Sequence, residues 1–457
     1  MADESQETRG LRAVCASEIL AKIEKGDPVE YDGVIINGNL DLKSLDLCKT
    51  SLERSFWFAR GNDISEILQI IATPLSIKNS QIKDDIIFDN IIFRCPINFN
   101  GSIFNGEANF AGSYFENGAV FEYSRFIKPV SFSFSKFRKP LNLKGSKPIK
   151  IGLSQVEGKF EEANFRGCQF QGDVKFIESV FGPADFSNSR FAGHADFKVS
   201  VFEGFANFCG SKFEGITEFW DVQFNGFVFF TESFFCNETA FSFCKFNDPV
   251  EFSLSKFLQI TRFYESCFNK DVEFRGSSFK KTVTFGRSEF HGEILSFRDT
   301  VFKDPRSQED ACRRAKNILE KNGDREEAGY HFYREMEGKR KQKPWHIRCP
   351  EYVFIQMIFG YGVHPLRLIA WWSIIVATFA AFYWIGSGIN GATNFFDYFK
   401  FSLATAIAPG YIATIISPGS TGYKLAAFYQ AVAIIESIFG TFLWAGFIAT
   451  FAKKYMR

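Results

Sequence analysis

Among 457 residues with a formal net charge of +1, phenylalanine occurs 59 times and methionine 4 times. Residues 99–303 hold 24 Asp plus Glu and 24 Lys plus Arg, a balance that speaks against nucleic-acid binding through a basic stripe. The ten cysteines show neither paired spacing nor a Cys/His cluster, which fits a reducing compartment and predicts no zinc site.

Residues 1–30 contain no apolar run long enough for a signal peptide, and residues 17–25 (SEILAKIEK) read as a helix capping the N-terminal end of a repeat region. From 31 to 303 the chain is repetitive. Val34, Ile36, Leu40, Leu42, Leu45 and Leu47 suggest opening coils built from aliphatics, and residues 31–87 carry weak repeats with an insertion. The pattern sharpens at Phe88, Phe93, Phe99, Phe104 and Phe110, and residues 140–159 interrupt it with Leu143, Ile149, Ile151 and Val156. From Phe197 to Phe290 eighteen phenylalanines alternate steps of five and six without exception. Two places before each Phe stands a small residue, Ser or Cys in one column (Val222 being the break) and Ala, Val or Thr in the other. Inward positions two apart are the periodicity of a strand. Steps of five and six would scatter the rings around a helix. The pattern therefore predicts a coil of short strands in which Phe stacks on Phe and the small column leaves room for the rings. A fixed period means that each unit buries its core only by stacking on its neighbours. Nine or so coils at about 4.8 Å per layer make a rod on the order of 45 Å long.

Units such as Ala108-Asn109-Phe110, Ala184-Asp185-Phe186 and Ala206-Asn207-Phe208 resemble the pentapeptide-repeat family, whose units read A(D/N)(L/F)xx. The extra residue in alternate units makes this a Phe-centred, eleven-residue variant. The resemblance implies a right-handed quadrilateral β-helix with two eleven-residue pairs per coil. Some relatives imitate DNA with an acidic face; the neutral charge balance speaks against that role here, leaving a structural or partner-binding rod.

After Phe302 the repeat ends. Residues 304–344 are charged, with Ala311, Ala315, Ile318 and Leu319 at helical spacing, an Asn322-Gly323-Asp324 stop and start, and a second stripe at Ala328, Phe332 and Met336. A helical hairpin with a basic end at Lys339, Arg340, Lys341 and Lys343 is predicted. Residues 345–457 form a membrane region. EYVFIQMIFG reads as a short interfacial helix, and His364 as structural. Leu368 to Phe396 holds no charge for 29 positions, and Leu425 to Ala452 holds only Glu436. Spans are predicted at about 366–386 and 424–452, with Trp371, Trp372, Tyr383, Trp384 and Tyr429 as interfacial rings. Basic residues flank both spans on their outer ends while only Lys400 and Lys424 lie between, so both termini are expected in the cytoplasm of a multi-pass protein of the cell membrane.

Between the spans, a re-entrant segment is predicted at 396–417. FDYFKFSLATAIA makes a helix of about twelve residues, roughly half a membrane at 1.5 Å per residue. Pro409-Gly410 ends it, and irregular backbone at that depth is tolerated only against protein or a watery cavity. Span, half-helix, loop, span resembles the two-transmembrane pore domain of the potassium-channel superfamily. The resemblance places Thr405 on a pore-helix threonine and Ala408, Pro409, Gly410, Tyr411 and Ile412 on the five filter residues TVGYG. Only the central Gly-Tyr pair survives, so strict K⁺ selectivity is not expected.

Glu436 is an intramembrane carboxylate, a functional candidate by default. It either bonds the pore-helix hydroxyls of Ser402 or Thr405 and holds the loop, or faces the ion path, or does neither. Gly440 is a candidate inner-helix hinge, or a packing glycine at a close crossing. No enzymatic chemistry and no cofactor are expected: there is no Gly-rich phosphate loop, and His194, His291, His331, His346 and His364 lack catalytic spacing. The leading expectation is a homo-oligomeric cation channel-like protein, a tetramer by resemblance, contacting the lipid bilayer and monovalent cations but no nucleic acid. Its cytoplasmic rod would gate the pore or bind an unknown cytoplasmic partner. The alternative is a non-conducting, membrane-anchored scaffold.

Overall fold

The computed structural model describes residues 11–54, 64–144, 147–148, 163–407, 424–425 and 427–455. It forms two compact units, residues 1–328 and 329–457.

The first unit is a four-faced β-solenoid. Three faces are continuous parallel sheets of 12, 11 and 11 strands, apart from one antiparallel hairpin, and the fourth face is two six-stranded sheets. Most strands contribute only two residues, one inward and one outward, because Phe and the small residue two before it both need the interior. Register confirms the coil length: Phe191 pairs with Phe213 and Phe213 with Phe235, so like stacks on like. Phe208, Phe230 and Phe252 stack nearly parallel at 4.8 and 4.9 Å, while Phe219 meets Phe230 edge-on at 5.6 Å. Offset stacks along the axis and edges across it are the arrangements that ring quadrupoles favour.

The serine column does more than leave room. Ser113 Oγ donates to the Phe88 carbonyl at 2.7 Å, Ser135 to Phe110 at 2.7 Å, and the Cys168 thiol to Phe132 at 2.7 Å. Each hydroxyl thus ties one coil to the coil before it, inside a core that offers no water to satisfy a carbonyl. Val222 breaks the column without orphaning the carbonyl above, since Phe197 still accepts the Ser200 N–H at 3.3 Å. That same bond closes a tight corner whose third residue, Val199, is left-handed at φ 57°; the equivalent corner uses Gly210 at φ 65°.

Helix α1 (Ala16–Lys25) buries Ile19 and Ile23 against the opening coils and stops at left-handed Gly26. Val34, Ile36, Leu40 and Leu42 are buried there. The insertion in the weak repeats includes an antiparallel hairpin, Lys49–Arg54 with Ile64–Ile71. Leu141 and Leu143 take core positions after Phe137, whereas Ile149, Ile151 and Val156 lie outside the described residues. Beyond that segment Val130 pairs with Ala163 and Phe137 with Phe170, so the ladders resume in phase. Helix α2 (Pro305–Lys321) ends the solenoid. Asp304 caps it by accepting the Arg306 and Ser307 N–H groups, with Pro305 at the first helical position. Ser307 Oγ takes the Val283 N–H at 3.0 Å, and Ala311, Ala315 and Leu319 pack into the core, closing an otherwise open edge.

The second unit is helical. Helix α3 (Arg325–Lys341) leads to α4 (Trp345–Pro350), which widens into a π-helical stretch, Glu351–Ile358. The expected interfacial helix is therefore wound more loosely than an α-helix. Helices α5 (Pro365–Ile385) and α7 (Ala427–Tyr455) follow, with α6 (Phe395–Ile407) between them. Pro365–Ile385 and Phe428–Ala452 are long and apolar enough to cross a membrane. Ile374, Phe382, Ile435, Ile438, Phe442 and Ile448 are exposed on them.

Candidate functional site

Helix α6 begins on a reciprocal cap. Asp397 N–H donates to Asn394 Oδ1 at 3.1 Å, while the Asp397 carboxylate accepts the Thr393 N–H at 3.0 Å and its hydroxyl at 3.1 Å. The helix is 13 residues long, about 20 Å, against a hydrocarbon thickness of about 30 Å. It packs on both α5 and α7, burying Tyr398, Phe401, Ser402, Thr405 and Ala406. A short antiparallel pair, Ile389–Asn390 with Lys424–Leu425, joins the segments that flank α6.

Glu436, on α7, is fully buried where the three helices meet. Its Oε2 accepts the Tyr383 hydroxyl of α5 at 2.8 Å, and its Oε1 meets Ser402 Oγ of α6. Ser402 Oγ also lies 2.8 Å from the Val376 carbonyl of α5. One hydroxyl proton faces two acceptors there. The set is one proton short around a carboxylate and complete around a carboxylic acid or an amide. A single side chain thus ties the half-length helix to both long ones.

Of the two hydroxyls expected beside Glu436, the structure brings up Ser402 and not Thr405. Thr405 is buried, and its Oγ1 has no hydrogen-bond partner among the described residues. Tyr383, expected at the interface, is fully buried, because its phenol supplies the second bond that the carboxyl needs. It was missed because its partner stands 53 positions later. Gly440 sits one turn beyond Glu436 against α6. A Cβ there would come within 2.6 Å of the Ala406 carbonyl oxygen, so this glycine permits a close crossing. Ala408, Pro409, Gly410, Tyr411 and Ile412 lie outside the described residues.

A second polar cluster joins α3 to the start of α5. Arg340 Nε donates to Gln356 Oε1 at 2.7 Å, Gln356 Nε2 donates to the Tyr333 hydroxyl at 3.0 Å, and the Arg367 guanidinium lies over the Tyr333 ring. His364 packs its ring edge-on against Tyr333 at 5.6 Å.

Comparison with known proteins bears on the first unit. The family model of pentapeptide repeats, in nine copies, matches residues 159–201. The repeat part is a pentapeptide-repeat β-solenoid. No curated protein and no solved structure matches the chain.

Proposed function

We propose that the helical unit assembles with copies of itself into a cation-conducting pore in the cell membrane, with the pentapeptide-repeat solenoid as a cytoplasmic gating or partner-binding module. The observation that carries this reading is α6, a helix too short to span, wedged between two helices that are long enough and held there by Glu436. A helix that stops at half a membrane's thickness leaves backbone that only surrounding protein or a watery path can satisfy, and the pore reading takes the second. Two long helices enclose no pathway alone, so conduction requires several chains, four by resemblance. The flanking basic residues favour both termini in the cytoplasm. The loss of the filter Thr, the second Gly and the Asp favours weak discrimination between K⁺ and Na⁺. The same loss supports the second reading, a membrane-anchored scaffold that conducts nothing.

Purified protein in planar bilayers tests this. Currents with a reversal potential that shifts little when K⁺ replaces Na⁺ are expected. A monomer in detergent, or silent bilayers across voltages and salts, would leave the scaffold reading; a reversal potential following K⁺ alone would refute the weak selectivity.

A further inference from the structure

We propose that Cys267, Glu289 and His291 form a binding site for a divalent transition-metal cation of the zinc class. The coil register makes the set, against the expectation of no Cys/His cluster and no zinc site, because positions a full coil apart in the chain meet only in the folded solenoid. Cys267 stands opposite Glu289, and the His291 N–H donates to the Phe268 carbonyl at 2.8 Å, carrying the pairing two residues further. Residues two apart on a strand share a face, so Glu289 and His291 project outward on either side of Phe290, directly beside Cys267 and Asn269. The Cys267 sulfur, a Glu289 carboxylate oxygen and a His291 ring nitrogen all lie within 4.8 Å of one another. His291 Nε2 is already 3.3 Å from Glu289 Oε2, and Cys267 Sγ is 3.3 Å from Asn269 Oδ1. Ligands around a tetrahedral zinc ion are separated by about 3.5 Å, so small side-chain rotations would close the set, with Asn269 or a water in the fourth place.

Neighbouring rows of the solenoid carry other chemistry. In the preceding coils Asn269 donates to Asn247 at 2.8 Å and Asn247 to Asn225 at 2.6 Å, an amide ladder that ends where His291 begins. Lys245 stands opposite Cys267 on the coil before. A similar trio, His194, Asp196 and Glu218, is already served by a lysine: Lys198 Nζ reaches Glu218 at 2.6 Å and Asp196 at 3.8 Å. Around Cys267, Glu289 and His291 no ion pair with a lysine or arginine forms among the described residues.

Thiolate, imidazole and carboxylate together select Zn²⁺, Co²⁺ or Cd²⁺ over Mg²⁺ and Ca²⁺. Burial, and then the charge of Glu289, push the Cys267 thiol up, while Lys245 pulls it down. Binding must therefore displace a proton: the S–H bond breaks, an S–M bond forms, and one H⁺ leaves to solvent. Glu289–Phe290 is the last strand of its sheet, so the ion would clamp the final coil to the one before.

The test is titration of the full chain in detergent micelles with Co²⁺, reading thiolate-to-cobalt charge-transfer absorbance. One equivalent is expected, displaced by Zn²⁺, with loss of the band in Cys267→Ser and in His291→Ala and no change in His194→Ala. All three ligand side chains are at least partly exposed, so these variants should fold, which circular dichroism would verify. Zn²⁺ should also raise the melting temperature of the wild type and leave that of His291→Ala unmoved. Absence of the band in the wild type, or its persistence in Cys267→Ser, would overturn the proposal.

Discussion

Glu436 is the side chain whose removal should most directly separate a structural tie from an incidental buried acid. In Glu436→Leu the Tyr383 hydroxyl, fully buried and bonded to Glu436 at 2.8 Å, loses its acceptor. A buried hydroxyl left without a partner costs about 1–3 kcal/mol. Interhelical hydrogen bonds in membranes are worth about 0.6 and at most about 1.7 kcal/mol. Ser402 keeps the Val376 carbonyl at 2.8 Å, so only one group is orphaned. The expected loss is about 1–2 kcal/mol. Glu436→Gln should lie within about 0.5 kcal/mol of the wild type, since an amide both donates to Ser402 and accepts from Tyr383. Adding Tyr383→Phe to Glu436→Leu should recover part of the loss, because both partners of one bond are then apolar. SDS-driven unfolding in mixed micelles, followed by tryptophan fluorescence, would measure the wild type, these three variants and the Tyr383→Phe single variant, five proteins in all. Of the seven tryptophans, Trp345, Trp371, Trp372, Trp384 and Trp444 report on the helical unit. Strictly additive losses in the double variant, or Glu436→Gln as unstable as Glu436→Leu, would refute the reasoning.

Two further substitutions probe the packing of each unit. Phe230 is fully buried and stacked at 4.8 and 4.9 Å, so Phe230→Ala should cost about 3–5 kcal/mol and Phe230→Leu less than about 1.5, read from the denaturant midpoint of the solenoid; equal costs would refute filled volume as the main contribution and assign the loss to the ring stack itself. Gly440→Ala places a methyl group 2.6 Å from the Ala406 carbonyl oxygen and should cost about 1–3 kcal/mol in the same SDS assay, whereas a neutral result would rule out a close crossing at this glycine.

Legibility followed the range of each interaction. The phenylalanine period announced the solenoid because strand pleat and inward spacing are local, and Phe208, Phe213 and Phe219 declare them within twelve residues. The serine column was visible as a size pattern, but its hydrogen bonds were not: Ser113 bonds a carbonyl 25 positions away. The long apolar helices and the short one between them could be read from charge-free length and from Pro409-Gly410. Ser402 could be guessed as a partner of Glu436 from the expected loop, whereas Tyr383 looked interfacial because hydropathy says nothing about which way a ring faces.

What the linear chain determined by itself is therefore the repeat, its strand character, and two helices apolar enough to leave water. What only the tertiary structure decided is which distant groups meet. Coil register sets Cys267 beside Glu289 and His291, and helix packing closes Tyr383, Ser402 and Glu436 into one network. Periodicity is a property of neighbours along the chain, but a polar group inside a core or a bilayer must find its partner wherever the fold brings one.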